Sequence, residues 1–424
     1  MTFRTWLSAS SVRLATSVPR SLRATSLLGI VLLGLSMTEQ VTNAQKRGGN
    51  TPPPPEPVLP AARYSLTWLD GGTGWEALIP HDINQSGVVV GRAYDPNAQF
   101  TSPQSAFAHS SSTGVSINLN GLAAAWWDLN AAERTSALGW RAINAIGIND
   151  NGLIVGSASN TDPNLPTRAF ILVDAFGVEP YFLLLPTVGA GDHYGRRINN
   201  QGEAVGSATD SGVVRYKATF ADNWPYYQAT LAISADVDGV MDINDNGHLV
   251  ARAITGGSYR QKSTGETDFV AGHGFSGVSS GLSEMVCGRR PKTNGKNGLP
   301  GGSFRMPLFG STTEALLFPE TDNAPDAALN DEGDTHFVKS SGTGFRRGFL
   351  YYDATNPATG TLYGVNGDGI LPLDKLVVNQ DADWLTDSTT RLLGISNRDA
   401  TGLGPICGWV PDVDRGFLLT PYVP

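Results

Sequence analysis

Few residues in this chain of 424 stand in spacings that could do chemistry. Gly277-Val278-Ser279-Ser280-Gly281 matches the G-x-S-x-G pattern of a serine nucleophile. That pattern works only on a strained strand-to-helix elbow served by a histidine and an acid. Here it lies in a Gly/Ser-rich stretch that reads as a strand, so it is read as structural. Gly189-Ala190-Gly191 with Gly195 is a fragment of a dinucleotide loop, but Arg197-Ile198-Asn199 behind it begins a hairpin rather than a helix, so a turn is expected. Asp242, Asn244, Asn246 and Gly247 match the first half of a calcium loop, yet Ala253 stands where the bidentate Glu belongs. Asn366-Gly367-Asp368-Gly369 is a second such fragment. Both are expected to be turn chemistry. His81, His109, His193, His248, His273 and His336 have no metal-ligand spacing and are expected as lone polar surface residues. These residues assign no catalytic, cofactor-binding or metal-binding site and no cofactor.

Composition narrows the function classes. Charged residues are only 16%, well below the roughly 25% of an average soluble domain, while 50 Gly and 26 Pro punctuate the chain. This is the composition of short strands and turns, an all-β protein. The net charge of −9 excludes a general nucleic-acid binder, which must neutralise phosphates with Lys and Arg.

Residues 1–44 read as a signal peptide. Arg4, Arg13, Arg20 and Arg23 precede the apolar stretch Leu27 to Met37, and Thr42-Asn43-Ala44 offers a small-residue cleavage site. The apolar run is too short to span a membrane, which takes about 20 residues. A secreted, soluble protein without a membrane span is therefore expected. Cleavage removes four Arg and one Glu, leaving a charge of −12. Residues 45–61 contain Thr51 to Pro60 (TPPPPEPVLP), a stiff polyproline spacer.

The remaining residues, 62–424, repeat one phrase: an apolar residue, Asn, two turn residues, Gly, then a β-branched run ending in Gly. Asp82-Ile83-Asn84-Gln85-Ser86-Gly87 precedes Val88-Val89-Val90-Gly91. Ile148-Asn149-Asp150-Asn151-Gly152 precedes Leu153-Ile154-Val155-Gly156, and further copies follow at Asn199, Asn244 and Asn330. Weaker copies place anchors at Gly281 and Ser396. The phrase is a hairpin turn followed by a strand buried on both faces. A small residue plus Phe recurs at Ala106-Phe107, Ala169-Phe170, Thr219-Phe220, Ser303-Phe304, Gly348-Phe349 and Gly416-Phe417. Extended apolar segments follow, among them Ile117 to Leu122 and Ile370 to Val377. Four strands in about 45 residues make a β-propeller blade. Seven anchors imply seven four-stranded blades. The last repeat lacks a fourth strand, and Tyr64 to Leu69 is an unpaired fourth-type strand that would close the ring.

The phrase, the small-Phe element and Gly416-Phe417-Leu418-Leu419-Thr420-Pro421 resemble the probable extracellular HAF-repeat family over residues 64 to 421. The His of the family's His-Ala-Phe is replaced here by Ser105, Arg168, Arg347 or Arg415. The resemblance implies an exported repeat protein without assigned catalytic residues.

Three local features remain. Cys287 and Cys407 hold equivalent positions two blades apart, too far for the roughly 7 Å that a disulfide tolerates, so free buried thiols are expected. Ala123 to Leu138, with Trp126 and Trp127, has the best helix-forming composition and is expected to cover a blade edge. Arg289, Arg290, Lys292 and Lys296 are expected on a solvated loop. The expected function is a non-catalytic binding or cell-surface interaction module, monomeric, for a protein or polysaccharide ligand. The alternative is a carbohydrate-active hydrolase or lyase whose acidic residues meet at the propeller axis.

Overall fold

A computed structural model describes residues 63–423 except 72–74, 76, 95–103, 132–134, 222–223, 235, 282–283, 291–301, 311–314, 320–327, 332–333, 341–345, 352–369 and 379–389. The signal peptide, the spacer, Lys292, Lys296 and Asn366 to Gly369 therefore lie outside the described residues. The chain is an all-β propeller. Seven sheets appear among the described residues, and their first strands contact one another in succession around a closed ring.

From the axis outward, the first sheet holds Ala77–Ile83, Val88–Tyr94, Ser105–Ser110 and Val115–Asn118. The second holds Trp140–Ile148, Ile154–Asn160, Arg168–Val173 and Tyr181–Leu184. The third holds His193–Ile198, Ala204–Ala208, Gly212–Ala221 and Trp224–Ser234. The fourth holds Val237–Ile243, Leu249–Ala253, Gly257–Gln261 and Thr267–Ala271. The fifth holds Gly274–Val278, Met285–Arg290, Gly302–Pro307 and Ala315–Pro319. The sixth holds Ala328–Leu329, Thr335–Ser340, Arg346–Tyr351 and Ile370–Pro372. The seventh holds Arg391–Ile395, Ile406–Val410, Arg415–Tyr422 and, from the other end of the chain, Arg63–Trp68.

Several expectations are corrected. Six sheets have four strands, but the second has six, because Ala125–Asp128 pairs in parallel with Tyr181–Leu184 and carries Thr135–Ser136 outside it. The stretch expected to be helical thus extends a sheet. Its free edge supplied backbone partners, and Trp126 stacks on Phe182 with centroids 3.9 Å apart, so the tryptophan is packing. The segment read as one strand from Ile370 to Val377 turns into a short helix, Leu373–Leu376, whose leucines are buried against the seventh sheet. Arg289 and Arg290 belong to a strand rather than a loop, and Arg290 is buried.

A β-bulge accompanies the Gly that ends the β-branched run in five sheets, while the fourth sheet has the bulge with Ala251 in that place. The inner strands bulge at His81, Ile146, Arg196, Met241, Ser276 and Leu393, where the register to the second strand slips by one residue. The bulge tips the carbonyls of Ile79, Asn144, Tyr194, Gly274 and Arg391 over Gly91, Gly156, Gly206, Gly288 and Gly408. A Cβ at any of these glycines would collide with that oxygen, so no side chain fits. In four of the sheets an aromatic ring closes the other side: Phe107, Phe170, Tyr216 and Phe417. In the third sheet the ring is therefore Tyr216, fully buried, rather than the expected Phe220.

The core lies between sheets rather than within one. Val90, Ala108, Ile148, Phe170 and Phe182 join the first and second sheets, and Val155, Ile171, Leu183, Val214 and Tyr216 the second and third. The seventh sheet joins the first through Cys407, Leu418, Leu78 and Phe107. Neither cysteine is in a disulfide and both are buried, as expected.

Closure follows the expected route. Arg63–Trp68 pairs antiparallel with Arg415–Tyr422, from Arg63 opposite Tyr422 to Trp68 opposite Phe417. Tyr64 is fully buried and its hydroxyl donates to the Gly404 carbonyl at 2.9 Å. Ladder bonds of about 0.5–1.5 kcal/mol each, plus burial of Tyr64 and Leu66 at roughly 1.5–3 kcal/mol per side chain, rival the 5–15 kcal/mol of a typical fold. Deleting residues 62–70 is expected to give insoluble protein or a sharply lowered Tm, while deleting 45–58 leaves the melting curve unchanged. Equal melting of the two truncations would show that the strand is no clasp.

Candidate functional site at the propeller axis

The inner strands all end on the repeated turn, so the same side chains meet at one end of the axis. Asn84, Asn149, Asn199, Asn244 and Asn330 each use both halves of the amide. Oδ1 accepts the main-chain N–H four residues on, from Val88, Leu153, Glu203, His248 and Asp334, at 2.8–2.9 Å. Nδ2 donates to the carbonyl of the corresponding residue in the next sheet: Asn149, Asn199, Asn244, Ser279 and Ser396, at 2.8–3.1 Å. The chain thus closes its own hairpin and grips its neighbour with one side chain. Gly87, Gly152, Gly202 and Gly247 follow with φ of 73–77°, the left-handed conformation that glycine adopts freely.

This corrects the fifth anchor. Ser279, not Gly281, accepts from Asn244, and its hydroxyl accepts the Met285 N–H at 3.0 Å. The serine of the G-x-S-x-G pattern is 1% exposed and spends its oxygen closing a hairpin.

One residue further on, a second ring forms. The N–H of each residue in the series Gln85, Asp150, Asn200, Asp245, Ser280 and Asp331 donates to the side chain of the next sheet's counterpart, ending on Asn397, at 2.7–2.9 Å. Asn200 Nδ2 also donates to Asp150 and Asp245, at 3.1 Å each. Burial raises the Asp245 carboxyl, and the charges of Asp331 and Asp150 raise it further.

Below these rings is a chamber of about 130 Å³ lined from all seven sheets. Asp82, Arg197 and Asp242 share one register there, immediately after the bulge. Asp82 accepts from the N–H groups of Ile83 and Ile148, at 3.0 and 3.1 Å. Asp242 accepts from Ile243 and Val278, both at 2.9 Å. Each carboxylate therefore fastens its sheet to the next. Arg197 Nη1 donates to the Ile146 carbonyl at 2.6 Å, and its Nε lies 3.9 Å from Asp242 Oδ1. Burial pushes Asp242 up to about 7 and raises Asp82, while Arg197 opposes both shifts. His81, at the bulge, is held down at about 3 by burial and by Arg92, Arg197 and Arg196.

Asn244 of the calcium-like fragment and Ser280 of the serine pattern also line this chamber, whereas the dinucleotide-like glycines and the histidines do not. The calcium-like oxygens are occupied separately: Asn244 Oδ1 accepts main-chain N–H groups, and Asn246 donates to Glu284. Asp210 ties down the Gly189 to Gly191 turn through the N–H groups of Ala190 and Gly191. The histidines are mostly not surface residues. His109, His193 and His336 are buried, since they serve as inter-strand packing. His193 is satisfied by Tyr216 and the Val188 carbonyl. His336 occupies the register of Val90, Val155, Val205 and Val250 in other sheets, and neither ring nitrogen finds a partner beyond its own main chain. Arg168, two residues before Phe170, pairs with Asp128 at 2.9 Å. The axial set was missed because Asp82 and Asp242 were read as turn chemistry and Arg197 as the start of a hairpin. The findable signal was their common place two residues before the anchor, in Asp82-Ile83-Asn84, Arg197-Ile198-Asn199 and Asp242-Ile243-Asn244.

No family model and no curated protein matches the sequence. Among solved structures, TolB from Acinetobacter baumannii is 10% identical, covering 79% of this chain and 80% of its own at a TM-score of 0.37. A protein of unknown function from Dyadobacter fermentans is 11% identical, covering 86% of this chain and 100% of its own at a TM-score of 0.41. Sqt1 from Chaetomium thermophilum, bound to the N-terminus of ribosomal protein L10, is 10% identical, with coverage of 82% and 86% and a TM-score of 0.40. The propeller assignment rests on the strand pairing and not on these likenesses. No helix among the described residues is long and apolar enough to cross a membrane.

Two outcomes follow. Asn199→Asp keeps the acceptor for Glu203 but loses the donor to Asn244, so it is expected to cost about 1–3 kcal/mol in chemical denaturation, whereas the same change at exposed Asn164 is expected to cost little. Burial lowers the His336 pKa from 6.5 to about 3. The folded state therefore resists a proton that the unfolded chain takes up, and stability is lost as pH falls from about 6.5 toward 3. His336→Val should gain stability over the wild type increasingly in that window, by about 2 kcal/mol at pH 5. A gain independent of pH would refute this.

Proposed function

We propose that the protein is an exported, monomeric binding propeller of the HAF-repeat kind, which holds a protein or polysaccharide on its loops and catalyses no reaction on it. The observation that carries this reading is the use of the axial carboxylates. Asp82 and Asp242 each spend one oxygen on the next N–H of their own strand and the other on an N–H of the neighbouring sheet, Ile148 and Val278. Their bonding is that of fasteners, in a chamber of about 130 Å³, below the roughly 300–1,000 Å³ of ordinary small-molecule sites. The acidic mature surface and the leader support export.

One observation favours the alternative of a carbohydrate-active hydrolase. Asp242, pushed up to about 7, would be a general acid poised for neutral pH. The two readings separate in one experiment. The mature chain is tested on polysaccharide and cell-surface extracts for retention and for release of reducing ends. Retention without release is expected. Release that Asp242→Asn abolishes, with the fold intact by circular dichroism, would replace the binding reading by the hydrolase. N-terminal sequencing of the exported protein is expected to begin at Gln45; recovery of the whole protein inside the cell would overturn export.

A further inference from the structure

We propose that the mouth of the axial chamber binds an organic cation, an alkylammonium or guanidinium group, held by Asp150, Asp245 and Asp331. All three line the chamber at its hairpin end and are half-buried. Each sits in the second ring, where Asp150 accepts the Gln85 N–H, Asp245 the Asn200 N–H and Asp331 the Ser280 N–H, at 2.7–2.8 Å. That bond needs no charge. Asn200, Asn397 and the Ser280 hydroxyl accept the corresponding N–H at 2.8–2.9 Å. The carboxylates therefore add mutual repulsion to the ring without adding a fastening. Among the described residues their other oxygens meet only neutral amides, from Asn200 and Asn397. Five carboxylates line the chamber against one guanidinium, Arg197, which lies lower, beside Asp242. Negative charge at the mouth is left unanswered.

A second, independent observation lies at the seventh anchor. At the fifth anchor the bonding is reciprocal: Ser279 N–H donates to the Met285 carbonyl, and the Met285 N–H donates back to the serine hydroxyl. Ser396 N–H likewise donates to the Pro405 carbonyl at 2.9 Å, but a proline has no N–H to return. The Ser396 hydroxyl is thus left without a partner among the described residues, on a side chain that lines the chamber from a residue 5% exposed. A buried hydroxyl without a bond is costly, and a ligand carrying N–H donors answers it. The spacing of the carboxylates selects the kind of cation. Among the described residues no three metal-ligating side chains stand close enough to hold an ion, whose oxygens must come within about 2.0–2.6 Å. A group with several N–H donors bridges wider gaps through charge-assisted hydrogen bonds. Size agrees, since a cavity of roughly 150 Å³ holds benzene and this chamber is about 130 Å³. Arg197 repels the cation from the floor and keeps it at the ring. The site is separate from the loop surface proposed above and stands or falls independently of it.

Isothermal titration of the mature chain with butylammonium and with methylguanidinium, at neutral pH and fixed ionic strength, is expected to show one saturable site. Asp245→Asn and Asp331→Asn keep the accepting oxygen that Asn200 and Asn397 already supply in this ring, so the fold is retained while affinity falls about tenfold or more. Asp412→Asn, on an exposed turn of the seventh sheet, leaves binding unchanged. Ser396→Ala is expected to weaken binding without lowering the Tm of the free protein, because the hydroxyl it removes bonds nothing there. A short lysine peptide assigns the source: tighter binding than butylammonium marks a partner's side chain, weaker binding a free amine. No saturable binding, full affinity in both aspartate variants, or tighter binding of calcium than of either organic cation would overturn the site. If the variants do not fold, the wild type decides alone. Its Tm is expected to rise with butylammonium and not with tetramethylammonium, which carries the charge without N–H donors; an equal rise with both, or none, refutes the proposal.

Discussion

The amide that bridges two sheets is the constraint on which the rest of this ring depends. A carboxamide alone among short side chains offers a donor and an acceptor on one planar group. Aspartate at the anchor would close its hairpin but leave the next sheet unheld, and serine is too short to reach it. The two anchors that are serine, Ser279 and Ser396, receive a bond from the preceding sheet and pass none on through their side chains. The second ring takes over at the fifth sheet, where Ser280 N–H donates to Asp331. Two concentric circuits thus share the work of fixing the angle between sheets.

That angle decides what the bulge does. Among the described residues six inner strands carry an extra residue at the same height, and in five of those sheets the slip brings a carbonyl onto the glycine of the second strand. The bulge also exposes one register to the axis, immediately after the extra residue. Evolution of this chain has placed Asp82, Arg197 and Asp242 there in three sheets and Gly147, Gly277 and Gly394 in three others. A propeller can hold charge at its centre because each carboxylate finds two N–H donors, one on its own strand and one on the next sheet, which offsets the cost of removing it from water.

The fold was legible because its grammar is local. Asn, Gly and a β-branched run state a hairpin and a buried strand within ten residues, and the closing strand could be read from a missing fourth strand at the other end. Ser279 was not legible as an anchor, because Gly281 in the same Gly/Ser-rich stretch fits a turn as well as it does, and only the bond from Asn244 separates them. The two added strands of the second sheet were hidden by composition: the Ala-rich run around Trp126 favours a helix locally, and a free sheet edge overrode that preference. The chamber was hidden for another reason. Its lining comes from residues as distant as Asp82 and Ser396, and no spacing along a chain reports which way an axis faces.

The strand that completes the seventh sheet is the first of the described strands to leave the ribosome, and its partner lies about 355 positions downstream. At roughly 5–20 residues per second, the interval between the two is about 20–70 s. Throughout that time Arg63–Trp68 is an apolar β-edge with nothing to pair with, while the intervening sheets can already stack. Nascent propeller is therefore a horseshoe with two sticky ends, and its hazard is pairing with another copy before its own tail arrives. A ring closed by its oldest segment cannot commit to a fold piecemeal; it remains dependent on whatever shields that edge until synthesis ends.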